Sequence, residues 1–191
     1  QIDQNITVGA LRNDTRNGHV ANSADMFTVG NFTGTRTITA NLEGAISGVS
    51  QQVLRTDNAP FEHLVINGNI IGIRGSASAN SVAVLKLESA ATGGQFTLNG
   101  NVAICDTTDS ISSTYALEVS YVTNFTWNGN LVHVDRQGFY NQGVMCTTLP
   151  LNATINWNGT YIPDTSPTPP TTQSGRMFAI FADAFTFNMN T

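Results

Sequence analysis

The chain has 191 residues, of which only 21 are charged (8 basic and 13 acidic), and its formal net charge is −5. An average soluble domain carries roughly 25% charged residues; here 21 Asn, 25 Thr and 13 Ser take their place, and a 40% apolar fraction suffices for a core and excludes general disorder. No apolar run approaches the roughly 18 residues of a membrane span and no basic cluster offers a phosphate-binding surface, so neither a transmembrane helix nor a nucleic-acid partner is expected.

The chain opens Gln1-Ile2-Asp3-Gln4, without a Met or a basic, apolar leader, so either a leader was removed or the chain is a fragment. Residues 1–24 lack the pattern that follows and read as an N-terminal cap or linker. From residue 25 to 191 the chain repeats itself. Each unit opens with a strand-like run: Asp25–Val29, Gln52–Arg55, Val84–Glu88, Tyr115–Val119, Gly143–Cys146 and Met177–Ile180. A second run then ends on an asparagine, as in Leu64-Val65-Ile66-Asn67-Gly68-Asn69, Phe96-Thr97-Leu98-Asn99-Gly100-Asn101 and Phe125-Thr126-Trp127-Asn128-Gly129-Asn130. Ile155-Asn156-Trp157-Asn158-Gly159 continues the series, Phe185-Thr186-Phe187-Asn188 ends it, and Thr37–Glu43 is a weaker first copy. A third apolar stretch often follows, as in Ile70–Ile73, Val102–Ile104 and Leu131–Val134.

The anchor residues Asn41, Asn67, Asn99, Asn128, Asn158 and Asn188 are spaced by 26, 32, 29, 30 and 30. Two or three short alternating runs in about 30 residues, with no helical stripe, predict the coils of an all-β parallel β-helix, single-stranded and about six coils long. Propeller blades need four strands and about 40 residues, which these units lack. Asn-Gly tolerates positive φ, so it predicts one sharp corner per coil, with the asparagine amides bonded up and down the stack. Alternation places Phe96, Phe125, Ile155, Phe185, Leu98, Trp127, Trp157 and Phe187 inside, and Thr97, Thr126 and Thr186 in an outer hydroxyl column. Residues 163–175, which hold four of the six prolines, predict a loop bulging from the rod; 75–81 and 106–113 are equivalent loops at the same phase.

These coils, with their neutral Asn/Thr-rich surface, resemble the right-handed parallel β-helix of the pectate-lyase-like superfamily, and in particular bacteriophage tailspike, tail-fibre and related virion-surface proteins. The resemblance covers about residues 25 to 191 and rests on architecture. It implies a homo-oligomer, a trimer first, that meets cell-surface polysaccharide outside a cell or on a virion surface. Some members cleave the polysaccharide with acidic residues in a groove; others only bind it or decorate a particle.

Glu88 and Glu118 are placed at matching positions of successive coils, a carboxylate pair that could act as acid and base in glycoside cleavage. The alternative is a solvated column with Arg55 and Lys86 as countercharge. His133, Asp135 and Arg136 cluster after one anchor, without a Ser or Cys nucleophile nearby in sequence. Asp106 and Asp109 are weak calcium candidates that lack an EF-hand or RTX pattern. Cys105 and Cys146 lie at different phases of the repeat, which predicts free thiols rather than a disulfide. Trp127 and Trp157 are either core or, facing out, a sugar-stacking platform. A single Thr per coil argues against an ice-binding array. Six Asn-x-Thr sequons, at Asn5, Asn13, Asn31, Asn124, Asn152 and Asn158, are glycosylation acceptors only in a eukaryotic secreted protein.

No cofactor is expected. The functional expectation is a structural protein of a cell or virion surface, for attachment or particle scaffolding; the other readings are a polysaccharide lyase or hydrolase and a secreted adhesin or fibril subunit. Phe178, Phe181, Phe185 and Phe187 crowd the last coil, whose anchor Asn188 lies three residues before Thr191, and an open end of strands invites pairing. That coil is therefore expected to be buried against another chain.

Overall fold

The computed structural model of the protein describes residues 2–13, 27–46, 52–56, 60–74, 82–88, 93–106, 114–135, 141–147, 149, 151–162, 176–181 and 184–191. None of the described residues is helical. In chain order the strands are β1 (Ile6–Asn13), β2 (Phe27–Val29), β3 (Phe32–Ile46), β4 (Leu54–Thr56), β5 (Phe61–Asn67), β6 (Ile70–Arg74), β7 (Val82–Glu88), β8 (Gly94–Asn99) and β9 (Val102–Asp106). They continue as β10 (Thr114–Ser120), β11 (Val122–Asn128), β12 (Leu131–Asp135), β13 (Asn141–Thr147), β14 (Ala153–Asn158), β15 (Tyr161–Ile162), β16 (Arg176–Phe181) and β17 (Phe185–Asn190). Every ladder between them is parallel.

Strands β2, β4, β7, β10, β13 and β16 stack in sequence order into one sheet. The other sheet runs β15-β12-β9-β6-β3-β5-β8-β11-β14-β17, with β1 laid on β3. Two columns of strands share this second sheet because β3 is continuous. Its Phe32–Thr39 part pairs with β5, and its Leu42–Ile46 part pairs with β6. In the next four units the same two parts are separate strands. The chain thus visits three faces in turn and returns one rung higher, which defines a parallel β-solenoid. Among the described residues five circuits cover all three faces, the first of them with β2 and the two parts of β3, while β16 and β17 make two faces of another, so the count differs from six full coils.

The rungs stack in register because each unit repeats the same apolar positions. Ile38, Ile66, Leu98 and Trp127 follow one another rung by rung, with Trp157 above. All five are at most 2% exposed. Arg36, Leu64, Phe96, Phe125, Ile155 and Phe187 form the neighbouring column. Each fully buried Leu, Ile or Phe contributes about 1.5–3 kcal/mol. Phe96 stacks on Phe125 and Trp127 on Trp157, with centroids 5.4 Å apart in both pairs, so aromatic contacts add to burial. The tryptophans belong to the core and offer no outward platform. Each indole N–H is satisfied by a main-chain carbonyl: Trp127 Nε1 donates to Gly100 O and Trp157 Nε1 to Gly129 O, both at 2.9 Å.

The neighbouring column begins differently. Arg36 occupies the position of Leu64, where its Nη1 donates to the Ile2 carbonyl and its guanidinium lies 4.2 Å from the Phe32 ring centroid. Ile2 itself is buried against Val29.

The last unit corrects the expected alignment by two residues. Ala153 pairs with Phe185, Ile155 with Phe187, Asn156 with Asn188 and Asn158 with Asn190. Phe185 is consequently exposed, and Phe187 is the residue packed against the core. Thr186 stands over Thr154, outside the Thr97–Thr126 column. A slip of two residues keeps every side chain on its own face of a strand, so the alternation of Phe185-Thr186-Phe187-Asn188-Met189-Asn190 fits either register. The loop at 163–175 and the 75–81 segment lie outside the described residues, as do residues 107–113.

Candidate functional site

The corner between the two columns of the larger sheet is built from Asn-Gly-Asn. Its first asparagines form a side-chain ladder. Asn99 Nδ2 donates to Asn67 Oδ1 (2.8 Å), Asn128 to Asn99 (2.7 Å), Asn158 to Asn128 (2.6 Å) and Asn190 to Asn158 (2.8 Å). At its base Asn67 Nδ2 reaches Thr39 Oγ1 at 3.4 Å. Two expected members therefore belong elsewhere. Asn41 lies two residues past Thr39, which pairs with Asn67, and Asn188 sits over Asn156.

The second asparagines form a ladder that sequence reasoning missed. Asn69 N–H donates to Asn41 Oδ1 (2.9 Å), Asn101 N–H to Asn69 Oδ1 (2.9 Å), Asn130 N–H to Asn101 Oδ1 (2.8 Å) and Thr160 N–H to Asn130 Oδ1 (3.0 Å). Each side chain thus satisfies a main-chain donor of the next rung. The signal was present in the sequence as the second Asn of Asn67-Gly68-Asn69, Asn99-Gly100-Asn101 and Asn128-Gly129-Asn130.

Between the ladders glycine is required by space. A Cβ on Gly68 would overlap the Ala40 carbonyl, and one on Gly100, Gly129 or Gly159 would overlap the carbonyl of the corner glycine one rung below. The reason expected from the sequence was backbone conformation, but of these four only Gly68 has a positive φ. At this corner successive coils approach too closely to admit a Cβ.

The outward side of β3, β5, β8, β11, β14 and β17 presents three parallel columns. One consists of Thr35, His63, Gln95, Asn124, Thr154 and Thr186; the next of Thr37, Val65, Thr97, Thr126, Asn156 and Asn188; the third is the ladder from Thr39 to Asn190. Columns are about 6.6 Å apart and rungs about 4.8 Å apart by strand geometry. The columns contain no Asp, Glu, Lys or Arg. Sixteen of the eighteen positions are Thr, Asn or Gln, the exceptions being His63 and Val65. The side chains are tied to one another: Asn188 Nδ2 donates to Asn156 Oδ1 (2.8 Å), and His63 Nε2 lies 3.1 Å from Thr97 Oγ1. The result is a hydroxyl and amide lattice on a rigid sheet, wider than the single Thr column expected from the sequence.

The expected carboxylate pair is not stacked. Glu118 pairs in register with Lys86, and Glu88 with Ser120, so the two glutamates are offset by two residues. Lys86 Nζ lies 3.4 Å from Glu118 Oε1, which supplies the countercharge of the alternative reading. In the third column, Asp106 aligns with Arg74 below and Asp135 above, a neighbour relation hidden by the 29-residue gap in sequence. Asp109 and Arg136 lie outside the described residues. His133 is on β12, opposite Ile104. Cys105 is on β9 and Cys146 on β13, strands of different sheets. Among the described residues no three His, Cys, Asp or Glu side chains converge as a metal-binding group. No described helix is long and apolar enough to cross a membrane. No family model matches the chain, and neither the curated proteins nor the solved structures compared with it contain a match.

Proposed function

We propose that this is a structural protein of an extracellular or virion surface, of the phage tail-fibre, tailspike or decoration type, that attaches to neutral cell-surface polysaccharide. The observation that supports this reading is the three-column hydroxyl and amide lattice. Amides and hydroxyls both donate and accept, as sugar hydroxyls do. A charge-free face suits a charge-free polymer, because neither partner then loses the hydration of an ion on contact. The mutual hydrogen bonds within the columns hold the side chains in place before contact, which reduces the ordering cost of binding. In this reading the winding is right-handed, the sense that parallel crossover connections take.

The same reading includes self-association, with a trimer as the first choice. Its support is the apolar surface of Tyr161, Ile162, Phe185 and Met189, each between 39% and 50% exposed. Light scattering at micromolar concentration checks this part, and a stable monomer refutes it.

Binding is tested by titrating immobilised neutral and anionic polysaccharides with the purified chain. Neutral polymers should bind. Thr126→Arg, which puts bulk and charge at the middle of the lattice, should weaken binding by about tenfold or more with an unchanged melting temperature. Binding of anionic polymers alone, or equal affinity of the variant, would sink the proposal.

A further inference from the structure

Asn67–Gly68, Asn99–Gly100, Asn128–Gly129 and Asn158–Gly159 are chemically fragile pairs as well as corners. Glycine has no side chain to shield its backbone nitrogen, which can attack the preceding asparagine. The nitrogen loses its proton and bonds to Cγ, Nδ2 leaves as ammonia, and a succinimide ring forms. Water then opens one of the two ring carbonyls to give aspartate or isoaspartate, with no oxidant or reductant involved.

In the solenoid both reacting groups are engaged. The nucleophile is tied up: Gly68 N–H donates to Asn99 O, Gly100 to Asn128 O and Gly129 to Asn158 O, each at 3.0 Å, and Gly159 to Asn190 O at 3.1 Å. The electrophile is tied up as well, since the Oδ1 of each of these four asparagines accepts from the amide of the next rung. Attack requires the glycine N–H to leave its ladder bond and the asparagine side chain to leave its column.

We propose that these corners are latent self-modification sites gated by opening of the coil. Packing forces glycine at this position in four successive rungs, and the amide ladder selects asparagine beside it, so these rungs carry the fragile pair, whereas the first rung, Thr39-Ala40, does without it. The closed ladder suppresses the chemistry it carries. A rung that opens can convert, and the product does not fit back. Aspartate only accepts hydrogen bonds, so it cannot donate to the rung below. Isoaspartate adds a methylene to the main chain beside a glycine whose place has no room even for a Cβ. Modification therefore makes a transient opening permanent.

The test follows ammonia loss by peptide mapping of the intact chain, folded and in concentrated urea, in the same mildly alkaline buffer. All four pairs should react at least about tenfold more slowly when folded, since the reaction must wait for local opening. Folded rates within about twofold of the unfolded ones overturn the proposal. Asn101→Ala, which removes the acceptor of the Asn130 N–H, should raise the folded rate at Asn128 more than at Asn67. An equal effect at both sites, or none at either, also overturns it.

Discussion

Asn101 and Asn128 occupy neighbouring ladders, yet their side chains do different work. Asn128 is exposed and exchanges bonds with other side chains, which water can replace. Asn101 is partly buried, and its Oδ1 is the acceptor for a main-chain N–H. Asn128→Ala should therefore cost about 0.5–1.5 kcal/mol, and Asn101→Ala about 1–3 kcal/mol because a backbone donor is left unmet. Urea melts of the two variants check the order, and a larger loss at Asn128 would contradict it. Gly129→Ala should cost about 3 kcal/mol, since its Cβ would press on the Gly100 carbonyl, which is backbone and cannot swing away. The asparagines were legible in the sequence as anchors. The reason for the glycines was not, because the carbonyl that excludes a Cβ belongs to a residue about 30 positions away.

The strands owe their stability to what stacks above and below them. Trp157 is 2% exposed, lies on Trp127 and donates to the corner below. Trp157→Ala should lower stability by about 3–5 kcal/mol. A double-mutant cycle with Trp127 should show coupling, whereas a cycle with Leu42, several rungs away, should be additive. On the smaller sheet the Lys86–Glu118 pair is only about a fifth exposed, so Lys86→Met, which leaves Glu118 largely desolvated without this partner, should cost more than the up to about 1 kcal/mol of an exposed pair. Thermal melts at low and high salt give the same information, and a strong salt dependence would contradict it. Strand positions were readable from alternation in β8, β11 and β14. The register of β17 was not, because a two-residue slip preserves the inside and outside faces.

A solenoid in which each coil touches only its neighbours folds and unfolds as a nearly one-dimensional array. All its ladders join strands distant in sequence, so refolding should be slow for the chain's size, on the millisecond-to-second scale or longer. Stopped-flow refolding that finishes in microseconds would contradict the architecture. The end rungs have a neighbour on one side, so hydrogen exchange should rank Leu98 and Trp127 amides among the slowest and those of β1 among the faster.

Repetition, alternation and composition were enough to establish an all-β stack of parallel coils, an asparagine corner, an aromatic core and a surface poor in charge. These features depend on residue type and spacing along the chain, and both are written in it. Contacts between rungs were decided only when the coils closed. They include Lys86 against Glu118, Asn188 above Asn156, and the three outward columns that form one lattice. Each unites residues about 30 apart, and a shift of two residues in any rung would have assembled a different set. That choice was made by van der Waals overlap at the glycine corner and by the fit of one side chain onto the next.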